Sequence, residues 1–419
     1  MGCEIKKSNI TSKKLTCFFN IMALCKTLNI MFSLKKINLY LEFNKLNMIK
    51  IIFKIMFIIC VISASAQHKC GTEEMIKIRM EKYPRYEIEK NKVNFETEKW
   101  LNNYHMNSNT VITIPVVVHV VWETNDQNIS DTQIQSQIDI LNNDYRRTNI
   151  DQINTPSVWQ SIASDCDIEF CLAKIDPNGN PTTGIERIQT THGPFGMDSD
   201  IHTSAAGGAD DWPNDDYLNI WVCDLGNNGI LGYATPPSNW IGDGDGVVIG
   251  YKNFGNSGNG NAPYHKGRTT THEVGHWLNL KHLWGDSNCG DDQVNDTPKQ
   301  ATDNSGCPGF PLNENSCNTT NTNGDMFMNY MDYTNDACMN LFTNGQKARM
   351  LAAINLYRPN MLNHNICNSH TSILDKENDK KLLIKVIDLL GREIKSPKKH
   401  TTLFYIYNDG SIKKKFILK

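Results

Sequence analysis

Hydrophobic positions change their period several times along this chain, and the changes divide it. From Gln67 to about Asn109 the texture is charged and helix-prone ("TEEMIKIRMEKY", "EIEKNKVNFETEKWL"), without the apolar density of an independent core. At Val111 it becomes "VITIPVVVHVVWE", a β-branched run that predicts a strand, with Pro115 placing it at a sheet edge or a strand start. "SDTQIQSQIDILNNDYRR" follows at helical spacing, with Ile134, Ile138, Leu141 and Tyr145 on one face and Ser130 and Gln133 as a capping box. Strands are predicted at "DIEFCLAKID", at "NPTTGIERIQT" after the turn "DPNGNP", at "DDYLNIWVCDLG" and at "GVVIGYKNFG". Strand, helix, strands and then another helix fit an α/β (α+β) domain built on a mixed sheet.

Beyond Gly285 the period disappears. Residues 285–329 are rich in Gly, Asn, Asp and Pro, and Cys289, Cys307, Cys317 and Cys338 lie in or beside them, so a stapled irregular segment is expected. "TNGQKARMLAAINLYRPNML" returns to helical spacing, capped by Thr343 and Gln346 and closed by Pro359. "SHTSILDKENDKK" reads as a linker and 382–419 as a small strand-rich tail. At the other end, "MIKIIFKIMFIICVISASAQ" has a charged start at Met48, a short apolar run and the small-x-small site Ala64-Ser65-Ala66, which predicts a signal peptide cut after Ala66. The apolar run is too short to span a bilayer. The expected organisation is an over-extended start (1–47), a signal peptide (48–66), a pro-segment (67–109), a catalytic domain (110–366), a linker (367–381) and the tail (382–419).

The 419 residues, 39% hydrophobic, allow one large core with appendages, and a net charge of −3 gives no reason to expect a nucleic-acid partner. Nine of the 13 cysteines follow the expected cut, so an exported chain would oxidise them and leave at least one thiol unpaired.

One stretch changes the picture most: "HEVGHWLNLKHLWGD", residues 272–286. His272 and His276, four apart on a helix, point imidazoles to one side. Glu273 sits where a carboxylate reaches a water without binding a metal. His282 supplies a third nitrogen, provided the helix breaks near Asn279, since a straight helix would carry it out of reach. That break needs positive φ, which glycine adopts at least cost and asparagine next. Three nitrogens with one open position is the pattern of catalytic zinc, with Glu273 as the base on a water that zinc activates. "MNYMDYTNDACMNLF" (328–342) adds Met331 as an apolar floor and Tyr333 as an oxyanion donor, although both residue types also serve as plain core.

Together, "HEVGHWLNLKHLWGD", "DDQVNDTP" and "GDMFMNYMDYTNDACMNLFTNGQKARM" resemble the cytophagalysin branch of the metzincins, the pappalysin family, over roughly residues 114–363. The resemblance implies a zincin fold, with a five-stranded mixed sheet and helices in an upper subdomain and an irregular lower one. It implies zinc-dependent endopeptidase activity on protein or peptide substrates, and asparagine at position 279 is a familiar alternative within the family. It further implies disulfides Cys289–Cys317 and Cys307–Cys338, with calcium near Asp292, Asn295 and Thr297. For the last three an ordinary Asx turn is an equal reading.

"HKCGTEE" resembles a latency switch in which Cys70 occupies the open zinc position; a Cys70–Cys367 disulfide is the other reading. "DLLGRE" and "FYIYNDGS" resemble the sorting tails of Bacteroidetes proteins exported by type IX machinery, against a basic surface-binding module as the other reading. A secreted or cell-surface protein of a Gram-negative bacterium, with no stable membrane span when mature, is the resulting expectation. The alternative is a catalytically idle surface-binding protein that retains the zinc site.

Overall fold

The computed structural model describes residues 69–104, 110–197, 200–238, 244–256, 262–314, 316–317, 323–368, 383–394, 401–407 and 412–417. The expected start and signal peptide (1–66) and most of the linker lie outside the described residues. In chain order the elements are β1 (Lys69–Cys70), α1 (Thr72–Lys82), α2 (Arg85–Leu101), β2 (Ile112–Trp122), α3 (Asp131–Tyr145), β3 (Ile168–Leu172), β4 (Ile185–Gln189), β5 (Leu218–Cys223), β6 (Ile230–Ala234), β7 (Gly246–Gly250), α4 (Arg268–Trp277), α5 (Asn344–Tyr357), β8 (Leu383–Ile387), β9 (Thr401–Tyr407) and β10 (Ile412–Ile417).

The sheet runs β1-β6-β7-β5-β2-β3, with β4 also on β2. Every pairing is parallel except β6 with β7, so the sheet is mixed. It has seven strands rather than five, for two reasons. β3 and β4 share one flank of β2, at Ile112–Val116 and Val118–Trp122 respectively. β1, which precedes the helices α1 and α2, adds itself to the free edge of β6.

Pro115 is not in an edge strand but in the first half of β2, which has neighbours on both flanks. The physical reason lies in the ladder. Val116 O and Val118 N face β3 and β4, accepting from Ala173 N and donating to Gly184 O, so alternate residues such as Pro115 face the β5 side. Pairing with β5 begins only at Val116↔Leu218, and the missing N–H of Pro115 is needed by nothing.

Because β2, β5 and β7 are covered on both faces, they read as continuous apolar runs. One face carries Val116, Val118, Val120, Ile220 and Ile249 against Ile134, Ile138 and Leu141 of α3 and Val274 and Trp277 of α4. The other carries Val121, Trp221, Val248 and Tyr233, packed by Ile201, Phe195 and by Met75 of α1. Ser130 caps α3 as expected, but only by half of the box: the Gln133 amide donates to the Tyr251 and Phe254 carbonyls. Thr343 and Gln346 form the full box on α5.

Residues 285–329 contain no helix or strand among those described, and are held by Cys289–Cys317 and Cys307–Cys338. A third disulfide, Cys171–Cys367, fastens the end of the domain onto β3. It removes the Cys70–Cys367 alternative, and Cys70, Cys166 and Cys223 are free. Strands β8, β9 and β10 form a separate antiparallel sheet in the tail. Among the described residues no helix is long and apolar enough to cross a membrane.

Candidate metal centre

Helix α4 ends as the sequence demands. Asn279 has φ +71°; its N–H donates to the His276 carbonyl, and Leu280 N–H donates to the Gly275 carbonyl. This is a Schellman motif with asparagine in the left-handed position, so two of the helix's last carbonyls are satisfied while the chain turns back. The turn carries His282 to the other two histidines. Their Nε2 atoms form a triangle, with His272–His276 and His276–His282 at 3.1 Å and His272–His282 at 3.3 Å.

The proton positions show what that triangle fits. His272 Nδ1 faces the Tyr330 carbonyl at 2.7 Å and His276 Nδ1 the Leu280 carbonyl at 2.9 Å. Carbonyls only accept, so both Nδ1 atoms carry protons and both Nε2 atoms present lone pairs. His282 Nδ1 is held between the carboxylates of Asp286 (2.8 Å) and Glu73 (2.9 Å). Although burial works against charge there, Asp286, Cys70 and Glu73 hold His282 well above the usual imidazole range. Nitrogens so close must share a cation between them, either the proton that His282 takes up or a metal ion in its place. A tetrahedral zinc with Zn–N of about 2.0–2.1 Å sets its nitrogens about 3.3 Å apart. The donor set therefore fits zinc, and each imidazole has the outer hydrogen-bond partner that metal-ligating histidines use.

Cys70 stands at the same point. Its sulfur and the three histidine nitrogens all lie within 4.8 Å of one another. The thiol reaches Glu273 Oε2 at 3.3 Å, and the Thr72 hydroxyl donates to that oxygen at 2.9 Å while accepting from Ala234 N–H of β6. Glu273 is 1% exposed, and burial pushes its carboxyl up to about 7 while Cys70, Thr72 and His282 pull the other way. Strand β6 walls this side: a side chain on Gly232 would approach the Glu273 Cγ at 3.1 Å.

Beneath the helix, Met331 is fully buried and its sulfur lies 2.6 Å from where a Cβ on Gly275 would be, which is why the second residue before the end of "HEVGHW" carries no side chain. Tyr333 packs its ring 5.0 Å from His282, 5.7 Å from His272 and 4.9 Å from Trp284. A cavity with an empty volume of ≈ 320 Å³ opens beside the histidines, lined by Leu231, Tyr264, Arg268, Tyr333 and Asp336 among others. Asp336 accepts there from the N–H groups of Lys266 and Arg268.

A polar network that the sequence reading missed braces the whole. Asp144 of α3 pairs with Arg268 at 2.9 Å and accepts from the hydroxyls of Thr271 (2.7 Å) and Tyr330 (3.0 Å). It thereby ties α4 to the turn carrying Met331. Breaking such a buried pair by removing one partner costs about 3–5 kcal/mol. Glu73 and Asp286 were missed too, although both lie in stretches singled out for their neighbours.

The oxygens of Asp292 and Thr297 are bonded to each other (2.7 Å), and Asp292 also accepts from Val294 N–H. These are the contacts of an Asx turn.

Residues 202–355 match the family described as peptidase M43, Pregnancy-associated plasma protein-A. An extracellular metalloprotease of Arthroderma gypseum is 30% identical over 247 residues, covering 57% of this chain and 71% of that protein. One from Arthroderma otae is 32% identical over 255 residues, covering 59% and 79%. This chain belongs to the M43, or pappalysin, family of metalloproteases. Among solved structures, mirolysin in complex with compound 9 has 50% identity and a TM-score of 0.59, covering 62% of this chain and 99% of its own. A Tannerella forsythia promirolysin variant has 46% identity and a TM-score of 0.64, covering 70% and 97%. An M43 peptidase needs a metal held by protein side chains, and among the described residues the three-histidine triangle, with Cys70 beside it, is a donor set that fits one.

Proposed function

We propose that this M43 peptidase is a secreted zinc endopeptidase, made in a latent form, with zinc held by His272, His276 and His282. The observation that carries the reading is the convergence of three imidazole Nε2 atoms beside a buried carboxylate on the same helix as two of them. Zinc at this place supplies a Lewis acid that polarises a peptide carbonyl and lowers the pKa of water. Glu273 takes a proton at its carboxylate and returns it to the departing amine. Tyr333, ring to ring with two of the ligands, donates its phenol to the developing oxyanion. Met331 fills the space under Gly275 and keeps α4 at a fixed height.

Residues 67–109 act as the pro-segment, and Cys70 is its latch. The thiol sits where substrate and water must enter, and bound to zinc it would be a thiolate fourth ligand. The solved proenzyme is matched over a larger share of this chain (70%) than mature mirolysin is (61%), which supports assigning the segment to latency. Three disulfides and the extracellular naming of the fungal relatives support secretion. The three-stranded β8–β10 sheet, with the phrases "DLLGRE" and "FYIYNDGS", supports reading 382–419 as a type IX sorting tail.

The test is a protein digest. The processed enzyme is expected to cleave casein internally, to lose that activity in a chelator such as 1,10-phenanthroline, and to recover it with zinc. Cleavage unaffected by the chelator, or none with zinc restored, would overturn the reading.

A further inference from the structure

Helix α5 carries a fully buried cation held differently from Arg268 and Arg358. Arg268 is paired with Asp144 and Asp151, and Arg358 with Asp245. Arg349 is 0% exposed and has no ion pair among the described residues. Its bonds run to neutral amide oxygens instead. Nε donates to the Asn279 carbonyl at 2.6 Å, and Nη2 donates to Gln293 Oε1 at 2.8 Å and Asn94 Oδ1 at 3.1 Å, with Asn279 Oδ1 at 3.5 Å. Nη1 has no hydrogen-bond partner. Burial drags the guanidinium down to about 10. A buried guanidinium with no carboxylate in direct contact is costly even with Asp292, Glu98 and Asp291 near enough to favour its charge, so its place needs a reason.

The reason lies in what it touches. Asn279 is the residue on which the chain reverses from His276 toward His282, and its carbonyl is at the negative end of α4. The Schellman bonds satisfy the Gly275 and His276 carbonyls, but the Asn279 carbonyl lies past them and needs a donor of its own. We infer that Arg349 is a positioning residue for the zinc site, pinning the Asn279 turn so that the third histidine reaches the other two. The assignment rests on the zinc reading above. A lysine brings one donor group in place of the planar fork and cannot hold the carbonyl and Gln293 in the same geometry. The remaining support for the turn comes from α2: the Asn279 amide donates to Thr97 Oγ1 at 3.0 Å, and Asn94 receives from Arg349 itself. Two residues of the proposed pro-segment thus grip the same turn from outside.

The experiment compares full-length wild type with Arg349→Met, Arg349→Lys and Arg349→Met/Thr97→Val. Zinc affinity is read by competition with a chromogenic chelator, ligand geometry by the visible bands of the cobalt(II)-substituted chain, and folding by melting of the metal-free chain. Arg349→Met is expected to weaken zinc by about 10-fold or more and to shift the cobalt bands. Arg349→Lys should show a smaller loss, and Thr97→Val should deepen the loss in the Met background. Should Arg349→Met fail to fold, Arg349→Lys carries the comparison. A folded variant with lowered melting but unchanged zinc affinity and cobalt bands would make Arg349 merely structural and overturn the inference. A wild-type chain that binds no zinc would instead overturn the reading of the site.

Discussion

Glu273→Gln in the processed enzyme should leave zinc bound and lower casein cleavage by about 100- to 10,000-fold, the span of a lost general acid–base group. The substitution keeps the volume of the side chain and an oxygen that can accept from Thr72, so the fold and the triangle of histidines have no cause to move. What it removes is a site that can take up and release a proton. Glu273 stands outside the converging group of Cys70 and the three histidines: it is one residue past His272 on α4, and its Oε2 is engaged by both Cys70 and Thr72. Loss of metal together with activity would give it a different role. Activity within a few-fold of wild type, on a preparation of equal zinc content, would remove it from the proton's path.

Cys70→Ala should switch on the uncleaved chain. The full-length wild-type protein is expected to be nearly silent toward casein, and the variant to gain about 100-fold or more, because on the proposed reading the thiol would be a zinc ligand held in place by its own backbone, needing no encounter to bind. Strand β1 secures it. Gly71 N–H donates to the Gly232 carbonyl at 2.9 Å, and Cys70 is in register with Gly232 on β6. The gain will fall short of full activity, since Met75 is still packed under the sheet and α2 still rests on α5, where Glu96 accepts from the Tyr357 hydroxyl. Gel analysis at each time point must show the chain uncut. A variant as silent as wild type, with a processed enzyme that is active, would place latency in the covering strand and helices and not in the thiol.

The parts of this site legible in the sequence are those fixed by local geometry. Helical spacing alone puts His272 and His276 together, and the need to return His282 identifies a turn and hence the left-handed asparagine. The buried strands β2, β5 and β7 stand out because they are covered on both faces. Strand β6 escaped notice because "ILGYA" is short and broken by Gly232, a glycine required by the closeness of Ile249 and the Val248 carbonyl of β7 and then of Glu273. β1 is two residues long and exists only through a partner some 160 residues away, which no periodicity records. Arg349 reads in "NGQKARMLAA" as an ordinary solvated charge on a helix; it is buried because α2 and the stapled segment close over it. Cys171–Cys367 joins residues 196 apart, a pairing that spacing cannot choose among nine cysteines.

Metal analysis of the folded, full-length chain bears most directly on the whole account. Wild-type protein purified without chelators should carry one zinc per chain, and His282→Ala, folded by circular dichroism, should carry far less. A folded wild-type chain that takes up no zinc, or a His282→Ala chain that holds it as tightly as wild type, would contradict the claim that the turn at Asn279 exists to bring a third nitrogen to the metal.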